Sequence, residues 1–252
     1  MAINVNTVYQ TVLSILNKEQ RGYMTPDEFN KVGTQVQLEI FERYFEDLNQ
    51  QARVPQSDLN YADRLENIDE KVAIFKTFGN ASYNNTSPTP TNYFTLPTTD
   101  SYGRSVNLYR IGEVTYKNEV LIQRLQRNDF YTSEKSKLTK ATETFPTYLY
   151  ENNYLFIKPD SIINNVQVEY VKKPSNVIWG FNVGTLGEYL YNEEEYNAST
   201  QPTGSINFEL HESEQTEVIL RILQYAGIII RDPQIVQAAA QQVQMDEINE
   251  KS

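Results

Sequence analysis

The chain contains no cysteine and a single histidine, His211. Without cysteine there are no disulfides, thiolate metal ligands or cysteine nucleophiles, which fits folding in a reducing compartment. One histidine cannot build a His-based dyad, triad or multi-histidine metal site within one chain. Long apolar runs are also missing. The longest, Tyr225 to Ile230, falls far short of the roughly 20 residues a membrane span needs, and the opening MAINVNTVYQTVLSILNKEQ has no basic region of the kind that precedes a signal peptide. Asn-x-Ser/Thr matches at Asn80, Asn84 and Asn197 are therefore read as chance. Positive charge is scarce: 22 Lys and Arg stand against 33 Asp and Glu, a net charge of -11. That balance argues against a dedicated DNA-binding protein, because the whole molecule is mildly repelled by phosphate. No phosphate-cradling glycine loop, nucleophile elbow or dinucleotide fingerprint occurs.

What remains is ample for a core. The 252 residues include 18 Tyr and 11 Phe, enough to fold without a metal or a staple. Val5, Val8, Tyr9, Val12, Leu13 and Leu16 recur at three- and four-residue spacings and predict a first amphipathic helix. Thr25-Pro26-Asp27-Glu28 predicts the start of a second, with Thr25 and Glu28 as a capping box and Pro26 at the first helical position. That helix is expected to reach about Leu48 and to bury Phe29, Val32, Val36, Phe41, Phe45 and Leu48. A third is expected from about Asn60 to Phe78, burying Tyr61, Leu65, Ile68, Val72 and Phe75 and stopped by Gly79.

Turn formers from Asn80 to Thr91 mark a composition boundary. Beyond it the period becomes alternating, predicting strands at 93–96, 106–116, 119–122, 147–150, 154–157 and 166–171. Hairpin tips are expected at Lys117-Asn118 and Asn152-Asn153, and a short helix near Asn128-Asp129-Phe130. The glycine- and tyrosine-rich stretch Trp179 to Gly204 reads as a loop ordered against either the same chain or a neighbour. Helix returns near Ser213, and Asp232-Pro233 restarts it into an Ala- and Gln-rich terminal helix too weak to stand alone.

The expected fold class is α+β: a helical bundle formed by the N- and C-terminal helices, with a central antiparallel β domain. In residue terms, 1–80 supplies N-terminal helices packing with 211–252, 92–210 forms the β-rich domain and loop, and 211–252 holds the C-terminal helices and a docking arm.

Each chemical candidate has a plainer explanation. His211, just before a helix, suits a capping residue better than a general base. Asn17 to Glu28 has the Gly22 and Glu28 positions of a calcium loop, but Arg21 puts a positive charge at a ligand position, so the oxygen cage cannot close. Glu193-Glu194-Glu195, Asp160 and the group Asp63, Glu66, Asp69 and Glu70 read as solvated acids rather than paired catalytic carboxylates. Lys135, Lys137, Lys140, Lys158, Lys172 and Lys173 read as local balance in an acidic chain rather than a nucleic-acid face. No catalytic residue, metal ligand or cofactor is assigned, and the chain is not expected to be an enzyme.

Two stretches, NVNTVYQTVLSILNKEQRGYMTPDEFNKVGTQVQLEIFERYF and VILRILQYAGIIIRDPQIVQAAAQQVQMDEINEKS, together roughly a third of the chain, resemble neck-ring, head-to-tail connector proteins of crAss-like and related short-tailed bacteriophages. The resemblance implies a structural virion protein, assembled in the host cytoplasm. It implies a homo-oligomeric ring of about twelve copies joining the capsid portal to the tail around the DNA channel. Its partners would be itself, the portal protein, other neck or tail proteins, and DNA passing without sequence-specific binding, with no membrane. Ile235, Val236, Ala239, Val243 and Ile248 on the last helix become candidates for ring or portal docking. A tail-hub or stopper protein is the alternative, and a tail-associated glycan-degrading enzyme a more distant one.

Overall fold

The computed structural model describes residues 2–18, 23–51, 64–85, 92–99, 106–230 and 241–245. The fold is α+β, and the chain divides into two compact units. The first comprises residues 1–74 and 174–252, and the second Phe75–Lys173. The boundaries expected from composition, 80, 92 and 210, therefore move: the β unit begins at Phe75, and the stretch after Lys173 belongs with the helices.

In the first unit, α1 (Val5–Lys18) starts on Asn4, whose side-chain oxygen accepts from the amides of Asn6 (2.9 Å) and Thr7 (3.0 Å). Val5, Val8, Tyr9, Val12 and Leu16 are buried as their spacing predicts. The capping box of α2 (Pro26–Gln51) forms: the Thr25 amide donates to Glu28 (2.9 Å) and the Glu28 amide to Thr25 Oγ1 (3.3 Å). These bonds satisfy two amides that the helix itself leaves unpaired. Phe29, Val36 and Phe41 are buried and Val32 and Phe45 half-buried, while Leu48 lies outside the described side chains. α5 (Gln215–Ile230) follows a single 3-10 turn, Glu212–Glu214, and contacts both α1 and α2.

The third helix is shorter than its apolar spacing predicts. α3 (Arg64–Ala73) ends before the expected Phe78, and Lys76–Asn80 is β1. Gly79 is no helix stop; it is a buried strand residue opposite Val168. Pairing with the strand Val166–Lys173 overrides the local helical period, a tertiary effect that propensity cannot register. Ile68 is half-buried and Val72 and Phe75 buried; Tyr61 and Leu65 are outside the described side chains.

The second unit carries two sheets, ordered β1-β9-β4-β5 and β2-β3-β8-β7-β6. Their strands are β2 (Ser82–Asn84), β3 (Tyr93–Thr95), β4 (Asn107–Tyr116), β5 (Val120–Leu121), β6 (Gln123–Arg124), β7 (Thr147–Glu151), β8 (Tyr154–Lys158) and β9 (Val166–Lys173). Alternation along β9 sends Val166, Val168 and Tyr170 inward, where they meet Phe94, Tyr148, Leu155 and Ile157 of the other sheet. Both sheets thus share one apolar interior. Positive φ at Lys117 and Asn118 (52° and 59°) and at Asn152 and Asn153 (51° and 63°) builds the two expected hairpin tips, since a two-residue turn of this hand needs both central residues left-handed. The unit is not wholly antiparallel: β6 runs parallel to β7, with α4 (Arg127–Ser133) in the connection between them.

Trp179 to Gly204, expected as a loop, folds against its own chain. β10 (Phe181–Val183) and β11 (Tyr189–Tyr191) pair as a hairpin. Ser205, buried, accepts the Gly180 amide at 2.9 Å through its hydroxyl and donates that hydroxyl to the Asn192 carbonyl. Gly180 has no room for a side chain, because a Cβ would sit 2.2 Å from the Thr203 carbonyl oxygen and 2.3 Å from that of Gly204. Backbone is the obstacle, so the clash cannot be relieved by a rotamer change. Gly180→Ala is expected to cost about 3 kcal/mol, read as a lower urea midpoint; a midpoint equal to wild type would show that this crossing is looser than described.

Candidate interaction surface

Three polar residues of α2 position the chain that returns from Lys173. Asn30 accepts the Trp179 amide (2.7 Å), Thr34 the Val177 amide (3.1 Å), and fully buried Gln37 donates to the Ser175 carbonyl (2.7 Å) while accepting the Glu209 amide (2.8 Å). The helix positions are four and three apart, on one face; the strand positions are two apart, on one edge. A helix side thus caps the edge of an extended segment that would otherwise leave its amides unpaired. These residues were missed from sequence. Their signal was a polar set at i, i+4 and i+7 on a face of α2 that also carries buried Phe29 and Ile40.

C-terminal to that ladder, α2 is joined to α3 and α5 by a neutral set of three acids and three bases. Arg43 pairs with Glu217, Lys71 with Glu214 (2.6 Å), and Arg221 with Glu217 (2.6 Å) and Glu39 (3.8 Å). Glu39 also accepts from the Tyr225 hydroxyl. Only 2% of the Glu214 side chain is exposed. Burial raises the Glu217 carboxyl, but hydrogen bonds and charge from Arg43 and Arg221 outweigh it and hold the group below its ordinary value.

On this scaffold stands an aromatic shelf. Buried Trp179 lies 4.5 Å from the Tyr9 ring and 5.6 Å from Tyr191, and its indole nitrogen donates to Asn6 (3.1 Å). Phe181 stacks on Trp179 at 5.9 Å, and Tyr189 meets Phe181 edge-on at 4.8 Å. The shelf supports the β10–β11 hairpin, whose other residues face water: Val183, Tyr189 and Leu190 are exposed, and Leu186 at the tip is 92% exposed. The tip is nonetheless ordered. Gly184 donates to the Glu188 carbonyl (2.9 Å), Gly187 to the Gly184 carbonyl (3.1 Å), and the Leu186 amide to the Glu188 carboxylate (2.9 Å).

A second exposed apolar tip occurs in the other unit, after α4. Leu138 is 96% exposed and Phe145 77%, with Tyr131 exposed on α4 itself. This loop is also held: Thr139 donates to the Ser133 carbonyl (3.0 Å), the Lys140 amide to the Ser136 carbonyl (3.0 Å), and the Ala141 amide to Glu134 (3.3 Å). Lys135, Lys137 and Lys140 surround it, all exposed. The other members of the lysine set lie elsewhere, Lys158 beside Asp160 (2.8 Å) and Lys172 and Lys173 on β9.

The remaining candidates fall as follows. His211 caps the 3-10 turn, its Nδ1 accepting the Ser213 amide at 3.3 Å. Glu28, the last position of the calcium-loop comparison, is taken up by Thr25, whose amide and hydroxyl lower its pKa. Glu193, Glu194, Glu195, Asp69 and Glu70 are exposed; Asp63 and the Glu66 side chain lie outside the described residues. Among the described residues no group of three or more His, Asp or Glu side chains could hold a metal ion, and no helix is long and apolar enough to cross a membrane. Of the docking candidates, Val243 lies in a helical segment at 241–245 and is already buried by its own chain, while Met245 beside it is exposed. Ile235, Val236, Ala239 and Ile248 lie outside the described residues.

No protein-family model matches the chain, and no curated protein matches it in sequence.

Two outcomes test the ion-pair set. Arg43→Met removes one of the two bases that pair with Glu217, leaving Arg221 in place, and is expected to cost about 2 kcal/mol in urea unfolding. Because the Glu217 pKa is depressed in the folded state, its contribution is fully present above its ordinary value of 4.5 and is lost as pH falls through the lower folded value. Glu217→Gln should therefore flatten the acid limb of the stability profile below pH 4.5; an unchanged limb would mean that other carboxylates set it.

Proposed function

We propose that the chain is a structural subunit of a phage neck, forming a homo-oligomeric ring that connects the capsid portal to the tail and encloses the DNA channel. The observation that carries this reading is the pair of ordered loops that hold Leu186 and Leu138 in water. Large apolar side chains fixed outward in rigid loops gain nothing in the isolated chain and suit contacts that other protein surfaces complete. An enzyme site instead needs convergent polar groups within a concavity.

In this reading the N- and C-terminal helices act as one bundle, braced by Arg43, Glu217 and Arg221, and the β unit is a separate module of the same subunit. Charge supports a division of labour. The β unit holds twelve Lys and Arg against nine Asp and Glu, whereas the helical unit holds ten against 24. A ring whose acidic parts line the channel lets DNA slide instead of sticking.

The test is native mass measurement of the purified chain, alone and with the portal protein from the same genome. A closed ring, or a portal-bound ring, is the expected species. A chain that stays monomeric in both conditions at high concentration overturns the assignment.

A further inference from the structure

We propose that adjacent copies of the chain associate head to tail, the Leu138 loop of one copy seating against the Leu186 hairpin of the next. The inference rests on the reading of the chain as a homo-oligomeric subunit and names the surfaces that would form the contact.

Leu138 and Leu186, at 96% and 92%, are the most exposed of the large hydrophobics among the described residues. Further exposed apolar side chains lie close to each along the chain, Tyr131 and Phe145 on either side of Leu138 and Val183, Tyr189 and Leu190 on either side of Leu186. A single exposed leucine needs no explanation, but two hydrogen-bonded loops that each carry several exposed apolar side chains suit surfaces that another protein covers.

Charge then selects the partner. Between Pro174 and Leu210 the chain has five Glu and no Lys or Arg, and Glu188, Glu193, Glu194 and Glu195 are exposed on and beside the hairpin. The Leu138 loop presents Lys135, Lys137 and Lys140. Its two acids are turned to their own chain, Glu134 accepting from the Ala141 amide (3.3 Å) and Glu143 from the Ser161 hydroxyl (2.7 Å). Basic-apolar against acidic-apolar is complementary, whereas either surface against its own copy sets like charges together. A two-fold contact is thereby disfavoured. Joining two different surfaces gives a heterologous contact, the kind that repeats around a ring.

The absence of native cysteine allows a direct test. L138C and L186C variants of the full chain, both changed at exposed positions, are treated with a short bis-maleimide separately and mixed. A heterodimer that forms only on mixing is expected. Adding K135E, K137E and K140E to the L138C chain should abolish it, and adding E193K, E194K and E195K to the L186C partner should restore it, which also shows that the reversed chains are folded. Homodimers of either single variant as abundant as the heterodimer, or failure of the charge-reversed pair to recover cross-linking, overturn the proposal. Rings in native mass measurements without this cross-link would sink the assigned surfaces alone; absence of rings with and without portal would sink the subunit reading as well.

Discussion

Gln37 is fully buried, and both ends of its amide are engaged, one by the Ser175 carbonyl and the other by the Glu209 amide. The arrangement of the helical unit depends on that pair of hydrogen bonds and their neighbours. The chain leaves this unit near Ile74, builds two sheets, and must be received again at Pro174. It is received on one side by polar side chains on α2, which satisfy its backbone groups there without a ladder, while Ile178 bridges Ile206 through two backbone hydrogen bonds. Once Ser175 to Trp179 is held, Trp179 is placed against Tyr9, and the hairpin above it acquires a floor.

The ion-pair set extends the same principle along α2. Buried charges are tolerated only when paired and hydrogen-bonded, since desolvation otherwise exceeds the Coulomb gain. Here Glu214 and Glu217 each meet a base, and the bases come from α2, α3 and α5. Such a set is specific to one arrangement of the helices in a way that an apolar contact is not, because sliding a helix by one turn would strand a carboxylate. Rigidity obtained in this way is compatible with a part that must present fixed surfaces to neighbours.

Much of the fold was legible. The capping box at Thr25 and Glu28, the stripe of α1 and the asparagine tips at Asn118 and Asn152-Asn153 are local signals, decided within about four residues by caps and turn geometry. Their appearance in the structure follows from that locality. The interaction surface was harder to read. Leu138 and Leu186 look like ordinary leucines in sequence, and their exposure follows from how Ser133, Ser136 and Glu188 tie down the loops that carry them. Asn30, Thr34 and Gln37 lie on a helix whose apolar period carries no sign of the distant backbone groups they meet.

From residue order alone came the absence of disulfide and multi-histidine chemistry, the acidic character of Pro174 to Leu210, and the helical and alternating periods of the two units. Those properties depend on composition or on neighbours along the chain. Tertiary structure decided that Lys76–Asn80 is a strand, that Trp179 to Gly204 packs on its own chain, and that Val243 is covered while Leu138 and Leu186 are not. Each of those outcomes depends on partners far away in sequence, β9 for Lys76–Asn80 and Tyr9 for Trp179, and a segment's own pattern does not say which distant partner it meets.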